Sequence, residues 1–260
     1  MSHLPNVPHL SHLPLDLKNK IALMTGGKRI GRVVAEELAK RGVDVAVCYS
    51  SSRGEADTTA AAVRGHGRRA AALRADLSDP DACRSLVASA ARELGGLDVL
   101  IHMASVYDKC PLAELRTSDW NRSLDIELRA AFLCAQAAAP LMRARGGGRI
   151  VNFSDWLPAS GRPRYPGYLT YYVAKAGVKA LTEALALELA PDNILVNALA
   201  PGPILAPDAT TPAELRAVER ETPLGRWGGE MEIAKAVIAL LESDFTTGET
   251  IRVDGGRHLN

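Results

Sequence analysis

Tyr171 and Lys175 stand four positions apart in YYVAK, at the head of a stretch with helical periodicity. Residues at that spacing share one helix face, so the ammonium of Lys175 is expected beside the phenol of Tyr171, where it favours the ionised form. A phenol with an ordinary pKa of about 10 is thereby brought toward use as a proton donor or acceptor near neutrality. Tyr172 is displaced by one position and faces elsewhere. Taken alone, such a pair is more often an accidental surface contact, and its meaning rests on context.

The context begins at TGGKRIGR, where Thr25, Gly26, Gly27, Lys28, Arg29, Ile30 and Gly31 join an apolar run to a helical pattern. Glycines let the backbone approach a phosphate, and the helix start offers N–H groups and a positive dipole end. A plain tight turn is the alternative. The place of this turn, between first strand and first helix, favours a dinucleotide site. The second apolar run ends in YSSSRGE, with Ser50, Ser51, Ser52 and Arg53 and no acid at the strand end to bind a ribose 2′-OH. With Lys28 and Arg29 nearby, hydroxyls and cations suit a 2′-phosphate, so the expected cofactor is NADP(H) rather than NAD. The alternative is that Arg53 only solvates a helix start.

These residues need a scaffold, and the 260-residue sequence supplies one. Short β-rich runs begin at Ile21, Val43, Arg69, Leu97, Arg149, Ile194 and Glu249, and amphipathic stretches such as RVVAEELAKRG, DACRSLVASAARELGG and WNRSLDIELRAAFLCAQAAAPLMRARGGG lie between them. Strand and helix alternating in this way predict an α/β fold, a Rossmann-type doubly wound parallel sheet of seven strands in a single domain. That domain is expected over 19–260, after a flexible N-terminal arm over 1–18. His3, His9 and His12 in the arm could grip a metal, but nothing preorganises them, and no metal site is expected.

Composition narrows the function. With 31 basic against 30 acidic residues the formal charge is +1, which excludes a nucleic-acid binder acting through bulk charge. Apolar residues at 47% and charged residues at 23% exclude a disordered chain. The four cysteines, Cys48, Cys83, Cys110 and Cys134, are widely spaced, without C-x-x-C pairs. No run reaches the roughly 20 apolar residues of a membrane span, and the start lacks signal-peptide order, so a cytoplasmic protein without a membrane partner is expected.

The runs TGGKRIG, RADLSD, IHMAS, YYVAK, NALAPG and TGETIRVDGG occur in an order that resembles the short-chain dehydrogenase/reductases from about Ile21 to the C-terminus. The resemblance implies a homotetramer with Tyr171 as acid/base and Lys175 holding the nicotinamide ribose. It further implies that Asp76 and Leu77 contact the adenine, that Ala104 and Ser105 line the cofactor, and that Pro201, Gly202 and Ile204 lie along the nicotinamide.

Where the family usually places a catalytic serine the chain has Asp155, in NFSDW, sixteen residues before Tyr171. A carboxylate repels a developing oxyanion but accepts from ring N–H groups. Asp155, the arginine of KRIGR and Ser105 resemble the pteridine and dihydromonapterin reductases, as does the ending DGGRHLN, which places Arg257 and His258 near the site. That subgroup implies a pterin stacked against Tyr107, with Arg29, Ser105, Asp155 and Tyr171 contacting substrate; a half-buried loop aromatic is the plainer reading of Tyr107.

Other departures are a glycine turn one residue short, Met103 beside His102 in the fourth-strand motif, and Glu127 where the family has Asn. Glu127 could still hold a water in a proton relay but adds charge. With a slipped register, Ser154 or Ser160 would replace Asp155. Arg162 and Arg164, in the insert before Tyr171, could receive an acidic tail, although solvated loop arginines are the simpler account.

The expected activity is therefore NADPH-dependent reduction of a small-molecule pterin, a dihydropterin or dihydrofolate going to the tetrahydro form. One alternative is a 3-oxoacyl or ketone reductase of the same family. Another is a non-catalytic NADP-binding scaffold.

Overall fold

The computed structural model describes residues 15–26, 28–207 and 210–260. Its seven strands are β1 (Ile21–Thr25), β2 (Asp44–Tyr49), β3 (Ala70–Arg74), β4 (Val99–His102), β5 (Gly148–Phe153), β6 (Ile194–Pro201) and β7 (Thr250–Val253). They form one sheet in the order β3-β2-β1-β4-β5-β6-β7, and every pairing is parallel. The central strands β1, β4 and β5 are buried at every position, as expected when helices cover both faces and no side faces water.

The helices are α1 (Ile30–Lys40), α2 (Arg53–Gly65), α3 (Pro80–Leu94), α4 (Thr117–Leu124), α5 (Ala130–Arg143), α6 (Trp156–Ala159), α7 (Leu169–Leu189), α8 (Pro212–Glu221) and α9 (Glu230–Glu242). One apolar core joins Val34 and Leu38 of α1, Val63 of α2 and Val237 and Leu241 of α9 to the sheet; the other joins Leu86 of α3, Leu133 and Met142 of α5 and Ala186 of α7. Local signals set several ends. Helix α3, for example, starts at Asp79, whose carboxylate accepts from Asp81 N–H at 2.9 Å, has Pro80 in its first turn and stops at Gly95 in the left-handed conformation.

The long stretch from Trp120 is not one helix. Asp125–Arg129 forms a π-helical turn between α4 and α5, and this turn carries Glu127 inward. Residues Leu15 and Leu17 of the arm pack against the domain, and Leu15 N–H donates to Asp244 at 3.2 Å, so the packed body begins before residue 19. His3, His9 and His12 lie outside the described residues. No helix among the described residues is long and apolar enough to cross a membrane, and no cluster of metal-ligating side chains occurs among them.

Parallel strands all end on the same side, and the chain reverses direction across the sheet between β1 and β4. Crevices outside the carboxyl ends of strands at such a switch point are where α/β folds bind ligands.

Candidate active site

A cleft of about 850 Å³ opens over the carboxyl ends of the strands. From the glycine turn it is lined by Gly26, Lys28, Arg29 and Ile30; from the end of β2, by Ser50, Ser51 and Ser52; and from the end of β3, by Asp76 and Leu77. Ala104, Ser105 and Tyr107 follow β4, while Asp155, Tyr171 and Lys175 stand together beside Pro201, Gly202 and Ile204. The cofactor, substrate and catalytic residues expected from sequence are thus brought together at six strand ends, apart from Thr25, Gly31 and Arg53, while Gly27 lies outside the described residues. Thr25 and Gly31 do not line the cleft. Arg53 is outside it, its guanidinium 3.5 Å from Asp57.

The glycine turn fits a close-approaching ligand because side chains are sterically excluded. Gly26 has φ +82°, and a Cβ on Gly31 would stand 2.6 Å from the Gly26 carbonyl oxygen. Helix α1 begins without a side-chain cap and without an acid in its first turn, which leaves its positive end facing the cleft. Arg29 itself, at φ 46°, donates to the Ala206 carbonyl at 3.1 Å. Lys28 sits 3.3 Å from Glu55, a cleft-wall acid two residues beyond Arg53 that the strand-end reading passed over.

Beside Tyr171, Asp155 is the extended residue that precedes α6. Its Oδ1 accepts from Leu157 N–H at 2.8 Å, and its Oδ2 accepts from the Tyr171 hydroxyl at 3.0 Å. The backbone N–H fixes one carboxylate oxygen so that the other meets the phenol. Ser154 does not compete, since its hydroxyl donates to the Lys175 carbonyl at 2.9 Å; Ser160 likewise donates to the Trp156 carbonyl at 2.6 Å. The slipped-register alternatives therefore place no hydroxyl against Tyr171.

Lys175 donates to the Phe153 carbonyl at 2.7 Å, and its ammonium lies 2.7 Å from Glu127 Oε2. This corrects the expectation that Lys175 draws down the Tyr171 pKa. The ammonium is 5.7 Å from the Tyr171 ring centroid and is balanced by a carboxylate. Burial, and then the charges of Asp155 and Glu127, hold the phenol well above its ordinary value. Burial also raises Asp155, outweighing the Leu157 N–H, Tyr171 and Lys175, which favour its charged form.

Behind Lys175, His102 is fully desolvated and faces the ammonium, which lowers its pKa to about 4 and keeps it neutral. Thr25 Oγ accepts from Met103 and Ala104 N–H and lies 3.0 Å from His102 Nδ1. Its proton thus goes to Nδ1, and the Nε2 proton to the Ile126 carbonyl 3.3 Å away.

Tyr107 is 52% exposed, stacks on Tyr168 with centroids 4.4 Å apart and meets Tyr171 edge-on at 4.7 Å. Its position is both that of a half-buried loop aromatic and that of a cleft wall. Arg164 packs over the Trp156 ring at 5.3 Å, and Arg257 approaches the same ring at 5.8 Å. Arg257 lines the cleft, whereas His258 turns to Asp254 at 2.7 Å. Trp227 and Val218 complete the wall. Neither carried a sequence signal: Val218 is one apolar position in the largely polar helix α8, and Trp227 lies in the irregular segment after it.

Residues 27–258 match the protein family described as enoyl-(acyl carrier protein) reductase. The 3-oxoacyl-[acyl-carrier-protein] reductase FabG of Staphylococcus aureus (strain Mu50) is 35% identical over 246 residues, covering 92% of this chain and 98% of that protein. Among solved structures, a short-chain dehydrogenase/reductase from Serratia marcescens BCRC 10948 superposes with a TM-score of 0.86 at 32% identity, over 94% of this chain and 99% of that one. A blue fluorescent protein from a metagenomic library, in complex with NADPH, superposes at 0.85 with 33% identity, over 93% and 99% of the two chains.

Proposed function

This chain belongs to the short-chain dehydrogenase/reductase family, and we propose that it is an NADPH-dependent reductase whose acceptor is a planar nitrogen heterocycle of the pterin class. The observation that carries this reading is the Tyr171–Asp155 hydrogen bond of 3.0 Å, with the Ser154 hydroxyl donating to the Lys175 carbonyl instead. A carboxylate beside the proton donor repels the oxyanion that forms when a ketone is reduced. The same carboxylate accepts from the N–H and amino groups of a heterocycle, because each of its oxygens keeps a second lone pair after the Leu157 and Tyr171 bonds.

The residues present fit NADPH. Gly26, Arg29 and Ile30 would hold its diphosphate at the uncapped start of α1, Lys28 with Ser50, Ser51 and Ser52 its 2′-phosphate, and Asp76 and Leu77 its adenine. When bound, the cofactor supplies the hydride. Tyr171 holds the proton the acceptor needs, and burial beside two carboxylates keeps it on the phenol through neutral pH. Asp155 orients that hydroxyl, and Lys175, held by Phe153 and Glu127, is placed to hold the nicotinamide ribose. Tyr107 offers the acceptor an aromatic face, and Ser105 and Arg29 are its polar neighbours.

The names of the relatives favour a second reading, reduction of a 3-oxoacyl thioester or simple ketone. NADPH oxidation by dihydrobiopterin, dihydrofolate and acetoacetyl-CoA separates the two. Turnover of the pterins supports the first reading; turnover of the thioester alone replaces it with the second. Exposed Phe132 on α5 and Val173 on α7 leave apolar surface for the homotetramer we also propose, which light scattering tests.

A further inference from the structure

Glu127 is fully buried, and its carboxylate is surrounded by groups from three parts of the chain. From the loop after β4, the Ser105 hydroxyl and the Val106 N–H donate to Oε1 at 2.6 and 2.7 Å. From α7, the Lys175 ammonium lies 2.7 Å from Oε2, an ion pair rather than an aligned hydrogen bond. From β4, neutral His102 packs behind the π-helical turn that delivers the side chain, and Asp155 and Tyr171 stand across the site.

We propose that Glu127 is a positioning residue that ties the substrate-side loop carrying Ser105 and Tyr107 to Lys175 through its two carboxylate oxygens. One oxygen sets the loop and the other sets the ammonium, so the aromatic wall and the ribose-side lysine are registered against each other. The carboxylate's charge does separate work. It balances a buried cation and adds negative potential at Tyr171.

This inference rests on the reductase reading of Tyr171 and Lys175. Its test compares Glu127→Gln, which keeps an oxygen toward the loop and loses the charge, with Glu127→Asp, which keeps the charge and shortens the reach. The acceptor is dihydrobiopterin, or acetoacetyl-CoA if the unmodified protein does not reduce the pterin. Glu127→Gln should bring the alkaline fall of kcat down by about one pH unit with KM little changed. Glu127→Asp should keep the pH profile and raise KM about tenfold, the size of effect expected from losing hydrogen bonds to a charged acceptor. Ser105→Ala should raise KM without moving the pH profile, and should add little to the KM of Glu127→Asp, because both break the same tie; a direct substrate contact alone would instead add in full.

A measurement without any acceptor runs beside these. Glu127→Gln and Lys175→Met each leave a buried group unmatched, so the double variant should melt above the temperature that adding the two single shifts gives. If the Gln and Asp variants change KM and pH profile alike, if Ser105→Ala leaves KM unchanged, or if the melting shifts simply add, the positioning role is wrong. Failure of the reductase reading is distinct, because it would show as no turnover by the unmodified protein.

Discussion

Asp155→Asn separates the charge of the carboxylate from its shape, and its effect on Tyr171 can be estimated from the structure. The phenolic oxygen and Asp155 Oδ2 are 3.0 Å apart. At an effective dielectric constant of about 20, two unit charges about 4 Å apart interact by about 4 kcal/mol, and 1.36 kcal/mol corresponds to roughly one pKa unit. The ceiling is therefore about three units, and because Lys175 offsets part of the field we expect a fall of about one to two units. Burial, the largest cause of the raised value, and Glu127 both remain, so the phenol comes down without becoming an acidic one.

The sign follows from the role. Tyr171 gives up a proton during reduction, so activity is present while the phenol is protonated and is lost as pH rises through its pKa. Asp155→Asn should therefore lose rate at a lower pH than the unmodified protein does, which should hold its kcat further into the alkaline range. The assay is NADPH oxidation at saturating cofactor over a pH series, with circular dichroism confirming that both proteins remain folded at each point. An unshifted alkaline limb in the Asn variant would refute the claim that the carboxylate keeps Tyr171 protonated.

Two further predictions concern the other end of the chemistry and of the cleft. Tyr171→Phe should lower kcat by about 10²- to 10⁴-fold while leaving NADPH affinity nearly intact, as measured by single-turnover rates and fluorescence titration; full activity would remove the phenol from the reaction. Lys28→Ala should weaken NADPH binding about fivefold, a modest effect because the ammonium is exposed, and should leave NADH affinity unchanged. Equal weakening of both cofactors would take Lys28 away from the 2′-phosphate.

The parallel sheet was legible because its strands are continuous apolar runs separated by helical periodicity, as in ALMT and VLIH. The cleft was legible for a related reason. Glycine turns and strand ends mark the carboxyl edge of a parallel sheet, where Gly26, Ser50, Asp76 and Ala104 all emerge. The π-helical turn at Asp125–Arg129 was hidden, because one additional residue in a turn leaves the apolar periodicity of the flanking helices nearly unbroken. Arg53 shows a different limit: as the first residue of α2 it points along its own helix to Asp57, four residues on, while Lys28 takes the place beside the serines.

The reversal at Tyr171 is the most instructive departure. Spacing on one helix identifies Lys175 as the nearest charge in sequence, and from that pair alone the phenol should be acidified. The pKa is decided by everything within reach, and topology brings two carboxylates to the same place, Asp155 from the end of β5 and Glu127 from the turn before α5. One cation facing two potential anions cannot favour a third negative charge on the phenol. The site thus keeps a proton on Tyr171, which is what the proposed role of that phenol in reduction requires. With only an uncharged hydroxyl at position 155, one of those two anions would be gone and the phenol correspondingly easier to ionise. The substitution of an acid at this position therefore alters both what the cleft can hydrogen-bond and the pH range over which its proton donor stays loaded.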